Sequence, residues 1–218
     1  MKLTKYEHAC FTIEHDGKIL IVDPGAYTSN LNTPENVSGV VVTHEHADHF
    51  DSSALGAIIA HNPDAVIIGP PSVTKQIEGA LPTQTVHGGD TVHLESFQLR
   101  FFGDTHATIH ESIPIIANVG VLINDTVFYP GDNFTTPGVE VDTLALPVAA
   151  PWLKISEVID YIETIQPRFI FPTHDAILSD KGKALVDRIL SPFAEKSDAH
   201  YQRIDGKNIS VDRTDQNI

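Results

Sequence analysis

Short apolar runs separated by turn residues set the rhythm of this chain. Tyr6 to Glu14 and Lys18 to Val22 read as paired strands joined across Asp16-Gly17, a tight-turn dipeptide. Asp23-Pro24-Gly25 ends the second strand, and residues 26 to 36, rich in Asn, Ser, Thr and Pro, read as a loop. A buried strand is expected over 39 to 43, where Val40-Val41-Val42 is uninterrupted, followed by a helix near 51 to 61 and a strand at 65 to 69. A helix capped by Ser72 should span 72 to 80, and Thr83 to His87 should make a short strand.

After Gly88-Gly89-Asp90 the pattern turns strand-rich again, at 91 to 95, 97 to 103, 119 to 123 and 126 to 129, with Asn124-Asp125 as a turn. Leu144-Ala145-Leu146 reads as another strand. Ile155, Val158, Ile159, Ile162 and Ile165 then repeat at helical spacing. Phe169-Ile170-Phe171 reads as a buried strand, followed by a helix from 180 to 195 and a final hairpin around Asp205-Gly206. In each half, strands come first and helices follow. The expected fold class is therefore α/β (α+β): a four-layer αβ/βα sandwich of two mixed sheets face to face with helices outside, forming one domain over 1–218.

The chemistry concentrates where these runs end. His44-Glu45-His46-Ala47-Asp48-His49 follows the Val40 run directly, at the carboxyl end of its strand, where open α/β sheets place their sites. In an extended segment His44 and His46 point the same way and can share one cation, while Asp48 and His49 in the following turn can reach a second. A solvated histidine run is excluded by its mid-chain position between a strand and a helix. Strands also run towards His106, Asp132 and His174, which brings the set to five histidines and two aspartates. That is too many for one tetrahedral zinc and enough for two metals; imidazole plus carboxylate suits zinc, with manganese or iron as alternatives.

Length and composition set bounds. The 218 residues, 41% of them hydrophobic, can bury a full core. No stretch approaches the roughly 20 apolar residues of a membrane helix, and no secretory leader is visible, so no membrane partner and a cytoplasmic location are expected. The one cysteine, Cys10, sits among apolar residues as a core thiol. A net charge of −15, with 14 scattered Lys and Arg, disfavours nucleic acid as a partner. A small-molecule substrate is expected, and homo-oligomerisation is left open.

The His-x-His-x-Asp-His cluster at 44–49, with Asp23-Pro24-Gly25 before it and Gly131-Asp132 and His174 after it, resembles the defining motif of the metallo-β-lactamase superfamily. The resemblance runs from about residue 6 to 176. His8 in Tyr6-Glu7-His8-Ala9 and the segment His106-Ala107-Thr108-Ile109-His110 are similar to a compact metal-dependent hydrolase branch, which includes ascorbate-6-phosphate lactonase and the N-acylethanolamine-releasing phospholipase D. The resemblance implies that His44, His46 and His106 bind one metal, that Asp48, His49 and His174 bind a second, and that Asp132 bridges them. His106 and His110 compete for the third-histidine position, with His106 favoured as nearer its strand. His8, Asp23, His110 and Trp152 are expected as substrate contacts or as supports behind the ligands. Tyr129 stands where the branch leads one to expect a histidine.

Two divalent cations about 3.5–4 Å apart supply hydroxide at neutral pH and polarise a carbonyl or phosphoryl oxygen, with Asp48 or Asp132 orienting or accepting the proton. The expected function is hydrolysis of a small ester, lactone or phosphodiester; the alternative is a catalytically inactive metal-binding sensor or scaffold. For a phosphorylated substrate, Lys154 and Arg168 are the cations expected near the site.

Overall fold

The computed structural model describes residues 1–212 and holds two seven-stranded mixed sheets. The first half supplies β1 (Lys2–Lys5), β2 (Phe11–His15), β3 (Lys18–Val22), β4 (Val37–Val41), α1 (Ser52–His61), β5 (Val66–Gly69), α2 (Pro71–Ile77) and β6 (Thr83–Thr85). The second half supplies β7 (Thr91–Leu94), β8 (Phe97–Phe102), β9 (Gly120–Ile123), β10 (Val127–Tyr129), β11 (Thr143–Pro147), α3 (Ile155–Ile165), β12 (Phe169–Thr173), α4 (Asp180–Lys196), β13 (His200–Tyr201) and β14 (Asn208–Ser210). The strand orders are β14-β1-β2-β3-β4-β5-β6 and β13-β12-β11-β10-β9-β8-β7. Each sheet joins an antiparallel half to a parallel half.

Alternation along single strands builds the four layers. Val41 faces the other sheet, while Val40 and Val42 face the apolar side chains of α1 and α2. Ala145 and Phe171 face inward, whereas Leu144, Leu146 and Ile170 pack with Val158 and Ile162 of α3 and Leu190 of α4. Strands buried on both faces explain why these runs read as continuous apolar stretches. Asp51 caps α1 by accepting from the Ser53 and Ala54 amides at 2.8 and 3.3 Å.

Three expectations need correction. The first strand does not run from Tyr6 to Glu14: β1 ends at Lys5, and residues 6–10 make a turn closed by the Tyr6 amide on the Cys10 carbonyl at 2.8 Å. The apolar pattern across Ala9-Cys10-Phe11 hides this break, at which His8 takes a left-handed φ of 55°. Ser72 does not cap α2; Pro71 occupies its first turn, and the helix stops at Ile77. Asp205-Gly206 does not turn a hairpin, because β13 pairs with β12 in one sheet and β14 with β1 in the other.

Candidate metal centre

Beyond β4 the chain stays tied to both sheets: the Val42 amide donates to the Ile68 carbonyl at 2.8 Å, and the Val119 amide to the Thr43 carbonyl at 3.0 Å. The backbone then folds back, with the His49 and Phe50 amides both donating to the His46 carbonyl, so the ligand run lies in a loop and not in the strand. Gly25 lets the Asp23-Pro24-Gly25 segment cross this loop, since a Cβ there would come within 2.1 Å of the Asp48 carbonyl. His44 Nε2 and His46 Nδ1 converge to 3.1 Å.

Two groups of possible ligand atoms form at this edge: His44, His46, His106 and Asp132; and His8, Asp48, His49 and His174. Asp132 lies between them. Its Oδ2 is 3.3 Å from His106 Nε2 and 3.0 Å from His174 Nε2, and its Oδ1 is 3.3 Å from His49 Nε2. These are approaches without hydrogen-bond alignment: His49 Nε2, His106 Nε2, His174 Nε2 and Asp132 Oδ1 are buried with no hydrogen-bond partner. Buried polar atoms are almost always paired, so four orphans aimed at one another mark a space built for a cation.

The far sides of the rings point to the same conclusion. Nδ1 of His49 faces Asp23 Oδ2 at 2.6 Å, Nδ1 of His106 the Ala107 carbonyl at 2.6 Å, and Nδ1 of His174 the Ala149 carbonyl at 2.5 Å. An acceptor at Nδ1 fixes the proton there and leaves the Nε2 lone pair facing the centre, as metal-ligating histidines require. Asp23, fully buried, also accepts from the Thr43 amide and hydroxyl at 2.8 and 2.7 Å. Asn118 clamps the aspartate loop, accepting from the Asp132 amide and donating to the Pro130 carbonyl, both at 2.9 Å. Trp152 Nε1 donates to Asp132 Oδ2 at 2.8 Å. The Tyr129 hydroxyl lies 3.4 Å from His49 Nδ1, beneath the cluster.

The electrostatics fit a site in need of positive charge. Burial would raise the carboxyls of Asp48 and Asp132, yet the neighbouring imidazoles hold both far below the usual carboxylate range. Burial would lower His174, but Asp132 and Asp48 pull it up to about 10. Burial likewise opposes the Asp132 and Asp23 charges at His49, which still ends raised, while His44 is driven well below its ordinary value by burial and then by His49. Protons here stand in for a cation.

Of the residues expected from the sequence, His44, His46, Asp48, His49, His106, Asp132 and His174 come together, with His8, Asp23 and Trp152 in contact with them. His110 does not; it is exposed in its loop, its Nδ1 paired with the Ser112 hydroxyl. Lys154 is exposed against Glu157, and Arg168 holds Asp142 before the start of β12, at the end remote from His174. Lys183 lines a cavity of about 440 Å³ whose wall includes His8 and Ala176, and Lys5 is fully buried beside it. Neither cation carried a sequence signal, because each sits on a polar stretch. Asn118 carries no sequence signal either, because asparagine is common in loops, and only its two backbone partners reveal its role.

A paired-sheet sandwich with histidine–aspartate clusters at one edge is the metallo-β-lactamase fold. Residues 2–174 match the model of the beta-lactamase superfamily domain, and the chain belongs to that superfamily. It is 35% identical over 190 residues to Protein Rv0786c of Mycobacterium tuberculosis, covering 85% of this chain and 89% of that protein. It is 25% identical to the UPF0173 metal-dependent hydrolase MJ1163 of Methanocaldococcus jannaschii, covering 79% and 83%. Among solved structures, the metallo hydrolase Igni18 of Ignicoccus hospitalis superposes with a TM-score of 0.73 over 96% of this chain and 98% of that one; at 17% identity this likeness concerns the fold.

Proposed function

We propose that this protein is a cytoplasmic, dinuclear metal-dependent hydrolase of a small ester, lactone or phosphodiester, with zinc as the resident metal. The observation that carries the reading is the set of orphaned buried atoms, three imidazole Nε2 and one Asp132 oxygen, whose ring partners leave lone pairs only towards the centre. Nitrogen and carboxylate donors in this number fit two zinc ions. When bound, such a pair supplies hydroxide at neutral pH and Lewis acidity towards a carbonyl or phosphoryl oxygen.

The chain's own groups do the rest. Asp132 is held between the two clusters by Trp152 and Asn118 and cannot swing away. Asp48 and His46 are the half-buried members, so the site opens to solvent on their side and Asp48 is the carboxylate placed to take a proton from water. Apolar side chains stand beside that opening: the Tyr27 ring meets His8 in a T-shaped contact, and Ile113 and Ile115 share a small cavity with His46 and His106. The substrate is therefore a small molecule with an apolar portion beside the reacting bond, and the acidic surface turns away nucleic acid.

Elemental analysis paired with hydrolysis of bis-p-nitrophenyl phosphate and a simple lactone tests this. Two equivalents of zinc with turnover of either substrate is the expected result. One equivalent or none, with both substrates untouched after metal is restored, would overturn it in favour of a binding role.

A further inference from the structure

We infer that His8, although its ring stands among the possible ligands of the second cluster, is not a metal ligand but an Nε2–H donor that positions Asp48. The inference rests on the metal-centre reading above and concerns what completes it. His8 is fully buried, and its Nε2 lies 2.9 Å from Asp48 Oδ2. Its other nitrogen decides the role. The Ala176 amide donates to His8 Nδ1 at 3.3 Å, so Nδ1 carries the lone pair and the ring proton resides on Nε2. A metal on Nε2 would require the proton on Nδ1, facing the Ala176 N–H donor.

His49, His106 and His174 show the opposite arrangement, each with Nδ1 against an oxygen. One buried ring in the cluster is thus wired in reverse. Its backbone is arranged for this duty as well: φ is 55°, and the His8 carbonyl accepts the His174 amide at 3.1 Å, which locks the donor to a ligand-bearing segment.

The consequence concerns coordination. With His8 as a donor, each cluster contributes three ligands of its own, His44, His46 and His106 against Asp48, His49 and His174, about the shared Asp132. With His8 as a ligand, the second cluster would close around its metal. Catalytic zinc sites keep an open position that structural ones fill. His8 thereby fixes Asp48 while leaving that position free.

Long-range 1H–15N correlation spectra of histidine-labelled protein, metal-free and zinc-loaded, test the assignment on the native chain. The Nε2–H tautomer of His8 in both states is expected; an Nδ1–H tautomer in the loaded state would overturn the proposal. Stepwise zinc titration gives an independent reading. His8→Ala should weaken the second equivalent by about 10–100-fold and spare the first, the usual cost of losing such a support. His8→Gln, whose amide keeps an N–H, should recover most of that loss. Equal losses in both variants would count against a donor role. Turnover is not measured, so an inactive zinc protein still tests the inference, whereas failure of the native chain to bind zinc would sink the metal-centre reading and leave the metal-free spectrum to settle the tautomer.

Discussion

Two buried charged clusters meet at adjacent residues, His174 and Asp175, and they are built on opposite rules. Around Asp175 the charges are matched. Lys5, fully buried, donates to the Tyr6 carbonyl at 3.0 Å, Asp205 at 2.8 Å and Asp175 at 3.3 Å. Arg203 caps the other Asp175 oxygen and grips Asp187 through Nε and Nη2. Around His174 the Nε2 atoms of His49, His106 and His174 and one Asp132 oxygen have no partner. Both clusters are buried, so burial does not separate structure from function here; satisfaction does. A finished network ties β1 and the segment before β14 to the end of β12, while an unfinished one beside it is left for a ligand.

The sharpest way to break this contrast is to remove the shared carboxylate. Asp132→Ala should cut kcat/KM by about 10³-fold, because losing the proposed metal pair forfeits several kcal/mol of transition-state stabilisation. Metal content should fall with it. A variant that kept two equivalents of zinc and wild-type turnover would remove Asp132 from the centre.

Lys5→Ala attacks the finished side. It leaves Asp175 buried without its ammonium partner, and such a loss costs about 3–5 kcal/mol. The low end is expected, since Arg203 remains on Asp175. Urea unfolding should show the loss, while zinc stoichiometry of the folded protein stays at the wild-type value. A variant as stable as the wild type but depleted of metal would reverse the two roles.

How far the sequence reveals this contrast follows from the range of each interaction. The fold class was legible because strands buried on both faces leave continuous apolar runs, as at Val40-Val41-Val42 and Phe169-Ile170-Phe171. The 44–49 cluster was legible because its ligands are neighbours in the chain. Nearness to the end of its strand favoured His106 over His110; the structure puts His106 beside Asp132 and His110 at the surface. The Lys5 network was invisible, since its carboxylates lie 170 and 200 residues away and pairing over that distance leaves no local pattern. The turn at residues 6–10 was hidden for a related reason. It brings His8 to Asp48, a tertiary contact that the local apolar alternation does not express.

Acidity sharpens the comparison further. In metal-free protein the His174 imidazole is raised to about 10, against burial, by Asp132 and Asp48. A raised histidine contributes stability that is complete below its unfolded value, about 6.5, and is lost as the pH climbs towards 10. Zinc must displace that proton, which by itself makes its affinity rise by about tenfold per pH unit between about pH 6 and pH 9. Metal-free stability should decline over the same window, while the zinc-loaded protein, whose His174 Nε2 carries no proton to lose, should not follow it. Chelator competition and thermal melts across that range measure both; a zinc affinity independent of pH would contradict the assignment of His174 as a ligand.

The smallest effect is expected where the two rules touch in one side chain. Trp152 packs edge-on against Phe134 at 5.1 Å between ring centroids, as a structural residue would, yet its Nε1–H completes one lone pair of the carboxylate shared by both clusters. Trp152→Phe keeps a ring and deletes only that donor. Stability should change by no more than about 1 kcal/mol, the net worth of one hydrogen bond. Zinc affinity should weaken by about tenfold, the lower end of the range for a support behind a ligand. Because Trp152 is the chain's one tryptophan, its fluorescence in the native protein should report zinc uptake directly. A Trp152→Phe protein that binds zinc as tightly as the native chain would reduce this residue to packing and leave Asn118 as the holder of Asp132.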